Sequence, residues 1–314
     1  MSKNIIVTGA GGFLGSYIQR VFAERGDKVI GIGRGRKPIK TDSVGNGHYI
    51  QMTLPDEHFK EIVADFRPDS IIHCAGSADV SYSVEHPLND IHNSVDTCAF
   101  VLETIRKHSA STRFVLLSSA AVYGNPERLP VEEDDSIKPI SPYGYHKYMC
   151  ELLVEEYSSI YQLNTAIARI FSAYGNGLTK QVVFDICCKL TGNKADAISV
   201  FGSGNESRDF IHATDVASAV ALITDAEAHG SFNVASGKQV RITELISTLL
   251  LISGIDKDIK YTHQQKRGYP LNWQANIHRL TELGFCCHTP LTFGLTQYWN
   301  WFQSRFSRSA HEFS

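Results

Sequence analysis

The run Asn4-Ile5-Ile6-Val7-Thr8 is apolar and β-branched, and it stops in a cluster of glycines at 9, 11, 12 and 15. An amphipathic segment follows at once, residues 15–25, with Tyr17, Ile18, Val21 and Phe22 at helical spacing. A strand without polar alternation is buried on both faces, and a helix that starts so soon after it must fold back over it. The next strand, Lys28-Val29-Ile30-Gly31-Ile32, then lies parallel to the first. This unit recurs. Residues 70–74, 113–117 and 165–170 read as further strands, and 95–107 and 143–161 as amphipathic helices. The expected fold class is α/β, a doubly wound parallel sheet.

Past Phe171 the rhythm breaks. Loops are expected at Gly202-Ser203-Gly204-Asn205 and Arg267-Gly268-Tyr269-Pro270, and short helices at 214–223 and 242–251. We therefore expect residues 1–171, with part of 205–236 returning to them, to form a nucleotide-binding domain. Residues 172–314 would form mainly a smaller substrate-binding lobe closing over the carboxyl ends of the strands.

A formal net charge of −3 over 314 residues lacks the basic excess of a nucleic-acid protein. No apolar run approaches the roughly 20 residues of a membrane span. The chain enters a strand directly, without signal or transit peptide, so a soluble cytoplasmic protein is expected. Seven cysteines include the adjacent pairs Cys187-Cys188 and Cys286-Cys287. They lack Cys-x-x-Cys zinc spacing, and His288 after Cys287 has no second ligand pair, so free thiols and no metal are expected.

Glycines 9, 12 and 15 give G-x-x-G-x-x-G between strand and helix. One permits the tight turn, one lets the backbone approach a pyrophosphate, and one packs helix on sheet. Amides and the positive helix end would hold the phosphates. Alone the motif is weak; the strand–loop–helix order strengthens it. Two later stretches point to proton chemistry. Leu117-Ser118-Ser119-Ala120-Ala121-Val122-Tyr123-Gly124 follows a strand, so its hydroxyls fall at the carboxyl edge of the sheet. In Ser141-Pro142-Tyr143-Gly144-Tyr145-His146-Lys147, Tyr143 and Lys147 stand four apart on one helical face. An ammonium near a phenol favours tyrosinate, and such a phenol can exchange a proton with a sugar hydroxyl. A chance surface pair would share this spacing; the glycine loop and the serines argue against chance.

Together these stretches resemble the extended short-chain dehydrogenases/reductases, the NAD(P)-dependent epimerase/dehydratase family acting on nucleotide sugars. The resemblance covers nearly the whole chain, through Gly9 to Gly15, Ile72-His73-Cys74-Ala75-Gly76, Asn93, Ser118 to Gly124, Tyr143 to Lys147, Arg169-Ile170-Phe171, residues 207–216 and Arg267-Gly268. It implies a Rossmann-type sheet and a cofactor site of Gly9, Gly12, Phe13, Leu14, Gly15, Arg34, Ala75, Gly76, Asn93, Tyr143 and Lys147. Tyr143 is then the proton carrier, Lys147 binds the nicotinamide ribose, and Ser119 holds the reacting oxygen. Arg208 and Arg267 would meet a substrate diphosphate, which suits guanidinium forks; a structural pair with Asp209 or Asp215 is the other reading of Arg208. The family also implies a homodimer through the two long helices.

The departures from the family pattern matter. Ala120 and Ala121 stand where the family's dehydratases carry an acidic pair, so water elimination is not expected. Ser172 follows Phe171 where an Asn often touches substrate. Met52 stands where an Asp often contacts adenine. At the end of the second strand, Gly33 replaces the carboxylate that reads a ribose 2′-hydroxyl, and Arg34, Arg36 and Lys37 follow. Cations there suit a 2′-phosphate. The sequence reading is therefore an NADP(H)-dependent reductase of a nucleotide-linked 4-keto sugar, with an NAD-dependent 4-epimerase as the alternative. A non-catalytic NAD(P)-binding regulator is the third reading, opposed by the intact Ser119, Tyr143 and Lys147.

Overall fold

The structure, a computed structural model, describes residues 2–35, 47–192, 197–264 and 268–306. Along the chain come β1 (Asn4–Thr8), α1 (Phe13–Glu24), β2 (Lys28–Gly33), β3 (Gly47–Gln51), α2 (Glu57–Phe66) and β4 (Ser70–His73). Next are α3 (Val80–Glu85), α4 (Pro87–Ile91), a π-helical turn at His92–Asp96, and α5 (Thr97–His108). Strand β5 (Arg113–Ser119) runs into a 3-10 turn at Ala120–Tyr123, followed by α6 (Pro142–Tyr161), β6 (Thr165–Ile170) and β7 (Ser172–Tyr174). Then come α7 (Gln181–Thr191), β8 (Ala197–Val200), β9 (Ser207–His212), α8 (Ala213–Asp225) and β10 (Gly230–Val234). The chain closes with β11 (Gln239–Arg241), α9 (Ile242–Ser253), β12 (Asp258–Tyr261), α10 (His278–Glu282) and α11 (Leu291–Phe306).

Seven strands form one parallel sheet in the order β10-β6-β5-β4-β1-β2-β3. From β1 the chain winds first toward β3 and then, from β4, the other way. The reversal opens a crevice beyond the carboxyl ends of β1 and β4, where such sheets bind ligands. Strands β4, β5 and β6 are buried along their whole length, as unalternated apolar runs require. One face of the sheet is covered by α1 and α8 through Ile18, Phe22, Val216 and Val220. The other is covered by α2, α5 and α6 through Phe59, Val101, Leu102 and Val154. Each such side chain stabilises the fold by about 1.5–3 kcal/mol on burial. A separate core joins α7, α9 and α11 through Val183, Ile186, Leu245, Leu249, Trp299 and Phe302. The small sheets β11-β9-β7 and β12-β8 lie outside the main one.

Two helix starts differ from the periodicity reading. Helix α1 begins at Phe13 rather than Gly15, because the apolar stripe marks a buried face and not the first helical residue. The helix expected at 95–107 is instead α5, preceded by a π-helical turn. There Ser94 Oγ accepts from the Ser77 amide at 3.1 Å and Asn93 Nδ2 donates to the Asn89 carbonyl at 2.7 Å. Such turns widen a helix locally and often mark sites. Helix α6 starts where its sequence dictates: Ser141 Oγ accepts from the Gly144 amide, and Pro142 fills the first turn. Behind it, buried Glu151 pairs with Arg169 of β6 at 2.8 Å and accepts from Ser118 of β5. Arg169 also donates to Tyr123 Oη and the Glu133 carbonyl, so helix, two strands and the 3-10 turn are locked in one register. Among the described residues no helix is long and apolar enough to cross a membrane.

Candidate active site

A cavity of about 260 Å³ opens in the crevice, lined by Gly9, Gly11, Gly12, Ile32 to Gly35, Met52, Leu54, Cys74 to Gly76, Asn93 and Thr97. Gly9 has φ +69°, and a Cβ there would stand 2.7 Å from the Ala75 amide nitrogen. A Cβ on Gly15 would collide with the Gly9 carbonyl, so the start of α1 can settle onto the loop only without one. No side chain caps α1, and the Ser16 amide is taken up by the Gly12 carbonyl at 3.1 Å. The first-turn amides therefore face the cleft as donors for an anion. Phe13 and Leu14 can offer only those amides. The Phe13 ring packs edge-on against Tyr17, and Leu14 packs into the core. Buried Met52, with Ile32, Leu54 and Thr97, gives the other end of the cavity an apolar slot. Anion donors at one end and an apolar slot at the other fit a dinucleotide.

Arg34 is exposed, and its Nη1 donates to Asn93 Oδ1 at 3.1 Å across the mouth of the cavity. Arg36, Lys37 and Arg267 lie outside the described residues. Three residues are expected to move protons. Ser119 is the last residue of β5, and its Oγ accepts from the Ala121 amide at 3.2 Å. Tyr143 sits in the first turn of α6, its amide donating to Ser83 Oγ of α3 at 3.0 Å. Lys147 lies one turn on, buried, with Nζ donating to the Leu117 carbonyl at 2.9 Å. Its charge is felt at the end of β4. Burial, aided by Lys147, pushes His73 down to about 3, and burial pushes the Cys74 thiol up to about 12 against the pull of the same ammonium. Tertiary structure thus brings Ser119 and Lys147 to one strand end, with Tyr143 on the Lys147 face of α6. Ala120 and Ala121 are buried in the turn behind Ser119, and a Cβ on Gly144 would stand 2.6 Å from the Ala121 carbonyl.

On the other side, Arg208 of β9 pairs with neither Asp209 nor Asp215. Asp209 accepts from the amides of Ser236 and Ala275, and Asp215 from those of His288 and Thr289. Among the described residues Arg208 has no carboxylate within ion-pair distance. Its guanidinium donates to the carbonyls of Ser207, Pro270 and Leu271 and lies 5.6 Å above the Trp273 ring. Burial lowers it to about 10, so it stays charged near neutrality. Ser172 opens β7 and is half-buried. Gly268 packs on Ser141 and Val80, and Tyr269 Oη lies 3.2 Å from Ser81 Oγ, which lays this segment beside the Tyr143 turn. Thr8, which opens the glycine loop, has its Oγ1 2.9 Å from His73 Nδ1. The sequence reading passed over Trp273 and Tyr49 of β3, which belong to no motif; an aromatic on the short strand after Gly33 was the one available signal.

The model of the NAD dependent epimerase/dehydratase family matches residues 5–235, which run from β1 through β10. A UDP-glucose 4-epimerase of Azospirillum brasilense is 27% identical over 311 residues, covering 90% of this chain and 86% of that protein. The structure of UDP-N-acetylglucosamine 4-epimerase from Methanobrevibacter ruminantium M1, in complex with UDP-N-acetylmuramic acid, gives a TM-score of 0.88 at 26% identity. It covers 97% of this chain and 99% of that one. A dTDP-4-dehydro-6-deoxy-D-allose reductase of Streptomyces bikiniensis is 24% identical over 320 residues, covering 96% of each protein. With its family match spanning the whole parallel sheet, this chain is an enzyme of the NAD dependent epimerase/dehydratase family, of the extended short-chain dehydrogenase/reductase type.

Proposed function

We propose that this enzyme is a nucleotide-sugar 4-epimerase, inverting the C4 carbinol of a UDP-linked sugar with NAD retained through the cycle. The observation that carries the reading is that Lys147 of α6 is bonded to the Leu117 carbonyl near the end of β5, where Ser119 stands, with Tyr143 one turn before it on α6 and inert alanines directly after Ser119. The likeness to 4-epimerases over most of the chain supports it. NAD, when bound, supplies a hydride acceptor that also returns the hydride. Tyr143 would take the proton of the C4 hydroxyl and return it to the same oxygen once the 4-keto sugar has presented its other face for reduction, and Ser119 holds that oxygen. Lys147, fixed on the Leu117 carbonyl, carries its ammonium one helical turn from Tyr143 on the same face of α6. Arg208 holds the diphosphate, with Arg267 as its proposed companion, and Ser172 faces the sugar. Ala120 and Ala121 have no group that could move the protons of a water elimination.

The second reading is an NADPH-dependent 4-ketoreductase. It is favoured by Gly33 and Arg34 at the end of β2 and by the Streptomyces reductase. Product analysis separates the two. Incubated with UDP-glucose or UDP-N-acetylglucosamine and no added cofactor, the purified enzyme should interconvert the 4-epimers. Turnover seen only with a 4-keto sugar and stoichiometric NADPH would overturn the epimerase reading. We further propose a cytoplasmic homodimer, paired through α5 and α6, because Tyr145, Met149 and Leu152 stand exposed along one side of α6.

A further inference from the structure

Gly33 has no side chain, yet the space beside it is filled. Tyr49 lies two registers back on β3, paired with Gly31, and its ring runs along the sheet toward the end of β2. A Cβ on Gly33 would collide with Tyr49 Oη, and one on Gly11 would stand 2.7 Å from the same oxygen. The phenol oxygen therefore occupies the place that the first atoms of a carboxylic side chain at residue 33 would take, beside the phosphate loop. Its proton has a partner: Tyr49 Oη donates to the Gly35 carbonyl at 2.9 Å. Gln51 Nε2, from the same strand, donates to the Arg34 carbonyl at 3.2 Å. Strand β3 thus pins the backbone of residues 34–35, while the Arg34 guanidinium turns toward Asn93.

We propose that Tyr49 replaces the missing carboxylate as the acceptor for the adenosine ribose 2′-hydroxyl of NAD. A phenol whose O–H is donated to a carbonyl presents only lone pairs, which match a hydroxyl donor. A 2′-phosphate offers acceptors and would meet those lone pairs unfavourably until Tyr49 released Gly35. Burial raises the phenol's pKa, so it remains a protonated donor to Gly35. The inference rests on the NAD-dependent reading above and opposes the expectation that Gly33 and the cations after it select a 2′-phosphate.

The test is direct binding of NADH and NADPH to the intact enzyme by calorimetry, which does not depend on turnover. Tyr49→Phe keeps the ring and removes the oxygen. It should weaken NADH about three- to tenfold, the worth of one hydrogen bond, and lower the NADH-to-NADPH affinity ratio by at least about threefold. Gly33→Asp in the native background should also weaken NADH, because Tyr49 fills its space. In a Tyr49→Ala background, Gly33→Asp should regain NADH affinity to within about threefold of native. An unchanged ratio in Tyr49→Phe, or undiminished NADH binding by Gly33→Asp alone, overturns the role of Tyr49 whichever cofactor the native enzyme prefers. Tighter native binding of NADPH than NADH would instead sink the NAD reading itself.

Discussion

Arg208 shows how one residue's neighbours decide what its charge is for. In sequence it stands beside Asp209 and near Asp215, and an internal ion pair is a fair expectation. In the fold both carboxylates are engaged by backbone amides, and among the described residues the guanidinium is held by carbonyls and an indole face. A partly desolvated cation with no described carboxylate in ion-pair distance is costly, and a diphosphate would supply a close counter-charge. Arg208→Ala should raise the dissociation constant for the UDP-sugar by about 10- to 100-fold while NADH binds as before. Arg208→Lys should recover little, because an ammonium has neither the planar fork nor the stacking on Trp273. Calorimetry with UDP reads both variants; unchanged UDP affinity would remove Arg208 from the site.

Among the elements, β4 ends in a residue that makes stability depend on pH. His73 is buried against Thr8, with Lys147 close enough to disfavour its protonation. Its folded value of about 3 lies below the roughly 6.5 of an unfolded histidine. The unfolded chain therefore binds more protons between those values. The contribution is full above about pH 6.5 and is lost as pH falls toward 3. From pH 7.5 to 5.5 this one group should cost about 1.4 kcal/mol. Denaturant titrations of native protein and His73→Asn at both pH values measure it; equal losses in the two would refute the assignment. The elements also show where the sequence was legible. Strands β1 and β6 coincide with their apolar runs. Strand β5 continues two residues past its run because Ser118 is satisfied by Glu151 inside the core, which periodicity cannot register. Strand β3 and helix α2 carried no expectation, since β3 is an edge strand containing His48 and Gln51.

For the whole molecule, the winding from β1 in both directions places the glycine loop and the end of β5 on the same carboxyl edge of the sheet. Assembly is decided at the same scale. Tyr145 and Leu152 are 52% and 45% exposed, and Met149 stands between them on the same side of α6. A second copy of the chain covering this stripe would bury surface that otherwise faces water. Light scattering should give twice the chain mass of 34.9 kDa, and Leu152→Glu should shift the protein to monomer. A monomeric native enzyme would refute the pairing.

The sequence by itself determined the alternating strands and helices, the glycine loop, and the Ser119, Tyr143 and Lys147 positions. Each is written in short-range spacing, with periods of two and 3.6 residues and a loop between consecutive elements. Tertiary structure decided what those positions meet. It left Arg208 without an ion-paired carboxylate among the described residues, turned Arg34 toward Asn93, and set a phenol from another strand where Gly33 has no side chain. The physical reason is that a glycine specifies only an empty volume. Which distant group fills that volume is fixed by strand register across the sheet, and the local sequence does not encode it.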